Sequence, residues 1–484
     1  MIGSYNTTRA EATKKNGSKA DRIFALQSNN LQELKQSSAE ERIARLKKLQ
    51  KAILRKRKLI QSAMWEEFKK PATEVELTEI YPVITEIRFT IKNLKKWMAD
   101  RRVSNISAMM GSKAYIRYEP RGVVLIISPW NFPFTLTLKP LVSALAAGNA
   151  VSIKPSELTP AASSIIYDIV NEVFEEHEAI VFQGGKEVAE ELLSKPYNHI
   201  FFTGSSRIGK NIMKHAADHL ASVTLELGGK SPVIVDESAD VGEAGKKIAW
   251  GKFINAGQSC LAPDYVLAHE SHRFELFYHL KDYVEKSYSA NGFTVHESED
   301  YARMVNNRHY DRVKYLLEDA LHDGASKVFG GEYMDEERFI APTVLEDVPL
   351  GSAIMKEEIF GPVLPVFFYR ELTEAFDIIK RRTKPLALYI FSRNTENIDL
   401  ILSNTTAGGS SVNDIYSHNF HPNLPFGGVN HSGTGKYNGH FGFKTFSNER
   451  AVLKEPPRIT RTDYIYPPYT KKTNRLIRFL IRFF

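Results

Sequence analysis

The run GVVLIIS, residues 122–128, constrains the fold more than any other stretch of this chain. It is apolar and β-branched without alternation, the pattern of a strand buried on both faces. AVSIKPS, AIVFQGG, HIFFTGS and SPVIVD follow as further short apolar runs. Helical stretches lie between most of them: Phe134 to Ala147, closed by Gly148, then Pro160 to Val173 and Ile208 to Leu220. Strands alternating with helices over short links form βαβ units, so the class is α/β with a doubly wound parallel sheet. Such a sheet binds ligands at the carboxyl ends of its strands. Ahead of it, Ser38-Ala39-Glu40-Glu41 has capping-box spacing, and Ile43, Leu46, Leu49, Ile53 and Leu54 recur at helical intervals, so the first hundred residues read as mostly helical. Beyond about residue 230 a second alternating region opens, with Tyr265 to His269, APTVLEDV and LALYIFS as strands. Thr406 to Gly442, rich in Gly, Asn and His, reads as loop.

At 484 residues the chain exceeds one small module, since a domain takes about 100 to 200 residues. A single cysteine, Cys260, cannot form an intramolecular disulfide, which excludes a secreted disulfide framework and points to a reducing, cytoplasmic setting. The net charge of +7 is modest, and lysines and arginines are not gathered with aromatics, so no nucleic-acid partner is expected. No metal site is expected either. The opening 21 residues lack the apolar core of a signal peptide and read as a mobile polar tail.

Four fragments offer chemistry. FTGSSRIGKN, residues 202–211, follows an apolar run and opens a helix, so its N–H groups could cradle a phosphate. Gly204 to Lys210 fits the first seven positions of a P-loop, but Asn211 stands where a nucleotide hydrolase needs a hydroxyl for magnesium. As a dinucleotide fingerprint it has Ser206 for the middle glycine; an ordinary strand-to-helix turn is the third reading. In TLELGGKSP, Glu226 ends an apolar run, where desolvation would raise its pKa toward that of a general base; a salt-bridged strand-end carboxylate is the plainer alternative. SPWNFPF sets Asn131 between prolines at a strand end, aimed at an oxyanion or capping its own turn. NAGQSCLAPDY holds Cys260, which is a nucleophile or a small buried hydrophobe.

PWNFP, FTGS, LELGGKSP, NAGQSC, EEIFGPVLPV and PFGGVNHSGTG occur in this order, and from about residue 22 to 450 the chain resembles the aldehyde dehydrogenase superfamily. Its late start, GQSCLAPDY and VNDIYSHNFHPNLPFGGV resemble the class 3 branch of fatty-aldehyde and aromatic-aldehyde enzymes. The resemblance implies a nucleotide-binding domain over 22–102 and 121–228, a catalytic domain over 229–411, a bridging domain over 103–120 and 412–450, a C-terminal extension over 451–484, and a homodimer. It makes Cys260 the nucleophile, Asn131 an oxyanion donor and Glu226 the base for water, in oxidation of medium- or long-chain aldehydes, or of aromatic ones, by NAD and also NADP. Lys154 and Glu157 would hold the adenosine ribose, with Gly204, Ser205 and Gly209 near the pyrophosphate and Glu358 and Phe360 at the nicotinamide. A carboxylate at Glu157 favours NAD by repelling a 2′-phosphate. Tyr81 and Phe426 match tunnel-lining positions, although aromatics there also suit an ordinary core. Asn430 departs from the family's usual glycine.

The chain ends KKTNRLIRFLIRFF. On a helix, Arg475, Arg478 and Arg482 share one side and apolar residues cover the rest. Ten residues rise about 15 Å, half the hydrocarbon thickness, so Arg475 to Phe484 cannot span a bilayer. The segment either lies on an anionic membrane surface, making the protein peripheral, or docks on a partner subunit.

Overall fold

The computed structural model describes residues 18–106, 111–289, 294–456 and 466–483. Two sheets organise it. The first has six strands in the order Gly433–Thr434, Ser222–Leu227, His199–Gly204, Val123–Ile127, Ala150–Lys154 and Ala179–Val181. All pair in parallel except the short Gly433–Thr434 edge. Its apolar runs are continuous because both faces are covered. Val124 and Ile126 join the core that contains Leu46, Leu49 and Ile53 of the helix Ala39–Arg55, while Val123, Leu125 and Ile127 join a second core with Ala20, Ile23 and Leu34 of the first two helices. Successive side chains of a strand point to opposite faces, so with both faces covered its positions are mostly apolar.

The second sheet has seven strands, ordered Ser326–Phe329, Thr343–Glu346, Val363–Tyr369, Tyr265–His269, Pro232–Val235, Ala387–Phe391 and Gly409–Val412. It is parallel apart from its Ser326–Phe329 edge. A separate antiparallel sheet joins Arg101–Arg102, Lys113–Pro120 and Ser447–Lys454.

Several sequence expectations shift. Residues 1–17 of the expected tail lie outside the described residues, but Ser18 already caps a helix over Lys19–Asn29, with Asp21 completing the capping box. The Ile208 to Leu220 helix runs over Ser206–Asp218 instead, and Leu220 is an exposed residue with φ of 53°. Thr406 to Gly442 is not all loop: it contains the Gly409–Val412 strand, a turn of helix at Ser417–Phe420, and the start of a helix over Gly439–Thr445. Polar, glycine-rich composition hid the strand, whose pairing comes from Ala387–Phe391, and two short helices with no apolar periodicity of their own. The strand Ser447–Lys454 runs past residue 450 into the segment assigned to the C-terminal extension. That extension's helix, Lys471–Phe483, has no buried residue, and among the described residues no helix is long and apolar enough to cross a membrane.

The helix over Pro133–Ala147, which follows the Asn131 turn, is stopped by Gly148 at φ of 89°. Buried Arg42 donates to Ala146 O at 3.0 Å, and a Cβ on Gly148 would lie 2.5 Å from its guanidinium. Gly148→Ala is expected to destabilise the protein by about 1–3 kcal/mol through left-handed strain and displacement of Arg42. Urea unfolding followed by circular dichroism measures this.

Candidate active site

Cys260 sits on a turn that the local sequence alone would not favour. The helix Val241–Phe253 ends, and Asn255, Ala256 and Gly257 follow in the left-handed region, with φ of 53°, 51° and 75°. For Ala256 that conformation costs about 1–2 kcal/mol. A Cβ on Gly257 would collide with the Gly361 carbonyl, so the third position tolerates only glycine. Hydrogen bonds hold the turn. Asn255 Nδ2 donates to Asn131 O at 3.0 Å and Gln258 O at 3.2 Å. Gln258, fully buried, donates from Nε2 to Asn255 O (2.9 Å) and Arg303 O (3.0 Å) and accepts from Val305 N at 2.9 Å. Asn131 reaches the same turn from the first sheet, its Nδ2 donating to Gln258 O at 3.1 Å.

Two cavities meet at this junction. One, about 800 Å³ with its open mouth, is walled mainly by apolar side chains including Leu77, Pro82, Trp250, Ile254, Phe420 and Phe426. The other, about 720 Å³, lies over the carboxyl ends of the first sheet and is lined by Trp130, Asn131, Gly204, Ser205, Glu358 and Phe360. Cys260, Glu226, Thr203 and Leu136 line both. The thiol and one carboxyl are therefore reachable from two sides.

The electrostatics of the seam favour uncharged groups. Glu226, near the end of Ser222–Leu227, is buried and neither carboxyl oxygen has a protein partner. Burial holds its carboxyl well above the usual range, against the opposing pull of Lys436 and Lys139. Burial, aided by Asp264, pushes Glu358 up to about 8. Burial also raises the Cys260 thiol, with the Glu358 and Glu226 charges adding to the effect and the Cys260 and Leu261 backbone N–H groups opposing it.

Gly204, Ser205, Glu358 and Phe360 thus come together. Ser205 alone connects the His199–Gly204 strand to the Ser206–Asp218 helix. That leaves no room for a P-loop, and Gly209 and Lys210 fall inside the helix. Gly209 does not line the cavity; its missing Cβ lets the helix approach Leu227. Lys154 ends the Ala150–Lys154 strand, two strands away, and pairs with Glu157, both outside the cavity lining. Tyr81 is corrected: it is 58% exposed and does not line the apolar cavity, whereas Leu77, Thr78 and Pro82 do. A π-helical turn over Glu76–Ile80 shifts which side faces the site, a register that helical periodicity cannot reveal. Phe426 does line the cavity. Asn430 adopts φ of 54°, which asparagine tolerates, and accepts a hydrogen bond from Lys384.

The second cavity fits a dinucleotide. A helix N-terminus opens onto it at Ser205, and Glu358 Oε1 is buried without a protein partner. A Cβ on Gly228 would collide with the Glu358 carboxyl, so glycine keeps that part of the cradle open.

Residues 4–452 match the aldehyde dehydrogenase family. The chain belongs to that family. This aldehyde dehydrogenase is 42% identical to 4,4'-diaponeurosporen-aldehyde dehydrogenase of Staphylococcus aureus over 88% of this chain and 92% of that protein. It is 41% identical to the rat aldehyde dehydrogenase family 3 member B1, over 91% and 92% of the two chains. A substrate-bound structure of Staphylococcus aureus AldH superposes with a TM-score of 0.91 at 39% identity, covering 96% of this chain and 100% of that one. The family uses NAD or NADP, and an NAD+ complex from Bacillus cereus shares the fold at a TM-score of 0.81 and 26% identity, over 90% and 88%.

Sequence reasoning missed His309 and Arg312 in the second cavity and Lys139, Trp250, Tyr416 and Tyr437 in the first. His309 lies 4.7 Å from the Trp130 ring, and Arg312 donates to Glu358 O and Ile359 O. Tyr416 lies within VNDIYSHNFHPNLPFGGV, but its side there has no local signature, and the others fall in no motif.

Because the Cys260 thiol is raised, its thiolate fraction in the cofactor-free enzyme grows with pH across the neutral range. Alkylation by iodoacetamide is expected to rise about tenfold per pH unit and still be climbing at about pH 9. A rate already level at neutral pH would contradict this. Mass spectrometry of the Cys260 peptide reads it out.

Proposed function

We propose that this aldehyde dehydrogenase converts medium- and long-chain aliphatic aldehydes to carboxylic acids, with Cys260 as nucleophile, Asn131 as oxyanion donor and Glu226 as base. The supporting observation is the apolar cavity that ends on Cys260 and Glu226, since an alkyl chain has no polar groups to satisfy along such a wall. Similarity to an enzyme named for a diaponeurosporen aldehyde supports the same reading.

The Cys260 Sγ bonds to the carbonyl carbon, and the thiol proton passes to Glu226 in its ionised form, the form that burial disfavours and that therefore binds a proton strongly. The carbonyl oxygen becomes an oxyanion. Asn131 Nδ2 carries two protons, one engaged with Gln258 O, and offers the other to that oxyanion beside the Cys260 backbone N–H. When bound, the nicotinamide supplies the hydride acceptor that converts the adduct to a thioester. After Glu226 has passed the thiol proton to solvent, it takes a proton from the water that attacks the acyl carbon, the C–S bond breaks to release the carboxylic acid, and the departing Cys260 thiolate recovers a proton. Burial makes Glu226 a stronger base than an exposed carboxylate, and low dielectric strengthens the Asn131 donation. Glu358 and Phe360 would meet the nicotinamide ribose and ring, Gly204 and Ser205 the pyrophosphate, and Lys154 with Glu157, two strands over, the adenosine ribose. Gly209 serves by letting its helix approach the sheet.

A second reading rests on the aromatic part of the first cavity, Trp250, Tyr416, Phe420, Phe426 and Tyr437, which suits aromatic aldehydes. NADH formation at 340 nm over a chain-length series with benzaldehyde separates the two. Turnover rising with chain length is expected; turnover confined to benzaldehyde would overturn the aliphatic assignment. Cys260→Ala should abolish it, and Asn131→Ala should lower kcat by about 10²–10³-fold.

We also propose a homodimer and a peripheral attachment through the C-terminal helix. A relative named for its dimeric, NADP-preferring form supports the dimer. The exposed Leu476, Phe479, Ile481 and Phe483, interleaved with Arg475, Arg478 and Arg482, support an anionic membrane surface. A chain ending at Pro468 is expected to lose cosedimentation with phosphatidylserine vesicles that the full chain shows; equal binding would refute the attachment.

A further inference from the structure

The two catalytic turns share a set of buried ionic partners that takes no part in the chemistry. Lys70 follows the helix Arg57–Phe68 and is completely buried. Its Nζ lies 3.4 Å from Glu79 Oε1, 3.9 Å from Glu74 Oε1 and 4.2 Å above the ring of Phe132, the residue after Asn131. Each carboxylate then reaches a different turn. Glu79 Oε2 accepts from Phe134 N at 3.1 Å and Thr135 N at 3.0 Å, capping the helix that leaves the Asn131 turn. Thr135 Oγ1 donates back to Thr78 O at 2.7 Å. Glu74 Oε1 accepts from Asn255 N at 3.0 Å, the first left-handed residue of the Cys260 turn. Asn255 and Asn131 close the circuit through Gln258 O.

We propose that Lys70, Glu74 and Glu79 are positioning residues that set the Asn131 turn against the Cys260 turn, and through that spacing the geometry of the oxyanion site. The ions have no other evident purpose at that depth. A buried ion pair is weak as a source of stability, and apolar side chains would fill the same space. What it supplies is direction. The lysine holds two carboxylates at fixed angles, and each carboxylate fixes N–H groups of one turn. Glu74 and Glu79 both come from the segment that turns through the π-helical register at Glu76–Ile80, so a single element of the helical layer spans both turns. The apolar cavity is lined by Leu77 and Thr78 of that same segment.

The proposal rests on Asn131 being the oxyanion donor, and the test keeps the two apart. Glu79→Ala is compared with Glu79→Gln, whose amide oxygen can still accept from Phe134 N and Thr135 N, in the wild-type and Asn131→Ala backgrounds, with octanal and NAD. Glu79→Ala is expected to lower kcat on the order of 10²-fold in the wild-type background. KM for octanal and Kd for NAD should change by less than about threefold, Glu79→Gln should recover most of kcat, and the Asn131→Ala background should show little further loss. The same loss in both backgrounds would mark the cluster as a core brace and overturn the proposal. An unchanged kcat in Asn131→Ala alone would defeat the oxyanion assignment instead. In that event a crystal structure of Glu79→Ala decides: a displaced Asn131–Gln258 contact supports positioning, and an unmoved one overturns it. Should Glu79→Ala fail to fold, Glu74→Ala carries the same comparison, and failure of both to fold overturns the proposal.

Discussion

The hydrogen bond from Asn131 Nδ2 to Gln258 O, 3.1 Å long, joins a turn of the six-stranded sheet to a turn of the seven-stranded one. Together with the bond from Asn255 Nδ2 to Asn131 O, 3.0 Å long, it sets the distance between the two turns. Neither turn carries a complete set of groups: one brings the amide, the other the thiol, and Glu226 arrives on a third segment. Both ends of the bond are buried, where a lost partner costs about 1–3 kcal/mol because no water replaces it. Asn131 and Cys260 are therefore held by the same contacts that join the two sheets.

Burial at that seam has a second consequence. Glu226, Glu358 and Cys260 are all raised, and Lys252, completely buried with no protein partner for its Nζ, is lowered to about 8. In each case desolvation is the leading cause, and neighbouring charges modify it. The carboxyls and the lysine move toward the range that acid–base chemistry at ordinary pH uses, whereas the raised thiol depends on a base to lose its proton. The strand ends supply the arrangement, since side chains there are enclosed by two layers but still open onto a cavity.

The parallel strands were legible because two-faced burial leaves an uninterrupted apolar signature, as in Val123 to Ile127. Helix ends marked by proline or glycine, such as Pro160 and Gly148, were legible for equally local reasons. Where pairing comes from far away, legibility failed. Gly409–Val412 looks like loop because its strand character comes from Ala387–Phe391 beside it. Tyr81 was assigned to a cavity wall and is exposed, since one π-helical turn before it rotates the face. Gly209 reads as a phosphate contact in the motif but acts through packing against Leu227. Gln258 stood within a quoted motif, yet nothing in its neighbours shows that its carbonyl would serve two asparagines.

By itself the sequence determined the α/β class, the alternation of strands and helices, and, through ordered motifs, the family and the candidacy of Cys260, Glu226 and Asn131. Those are properties of short segments, set by side-chain periodicity, glycine conformations and capping. Tertiary structure alone decided which groups meet. Glu79 caps a helix 55 residues further on, and Asn131 bonds a carbonyl 127 residues away. Such contacts form only once the two sheets and the helical layer have docked, and docking depends on the summed shape and burial of whole elements, which no local pattern records.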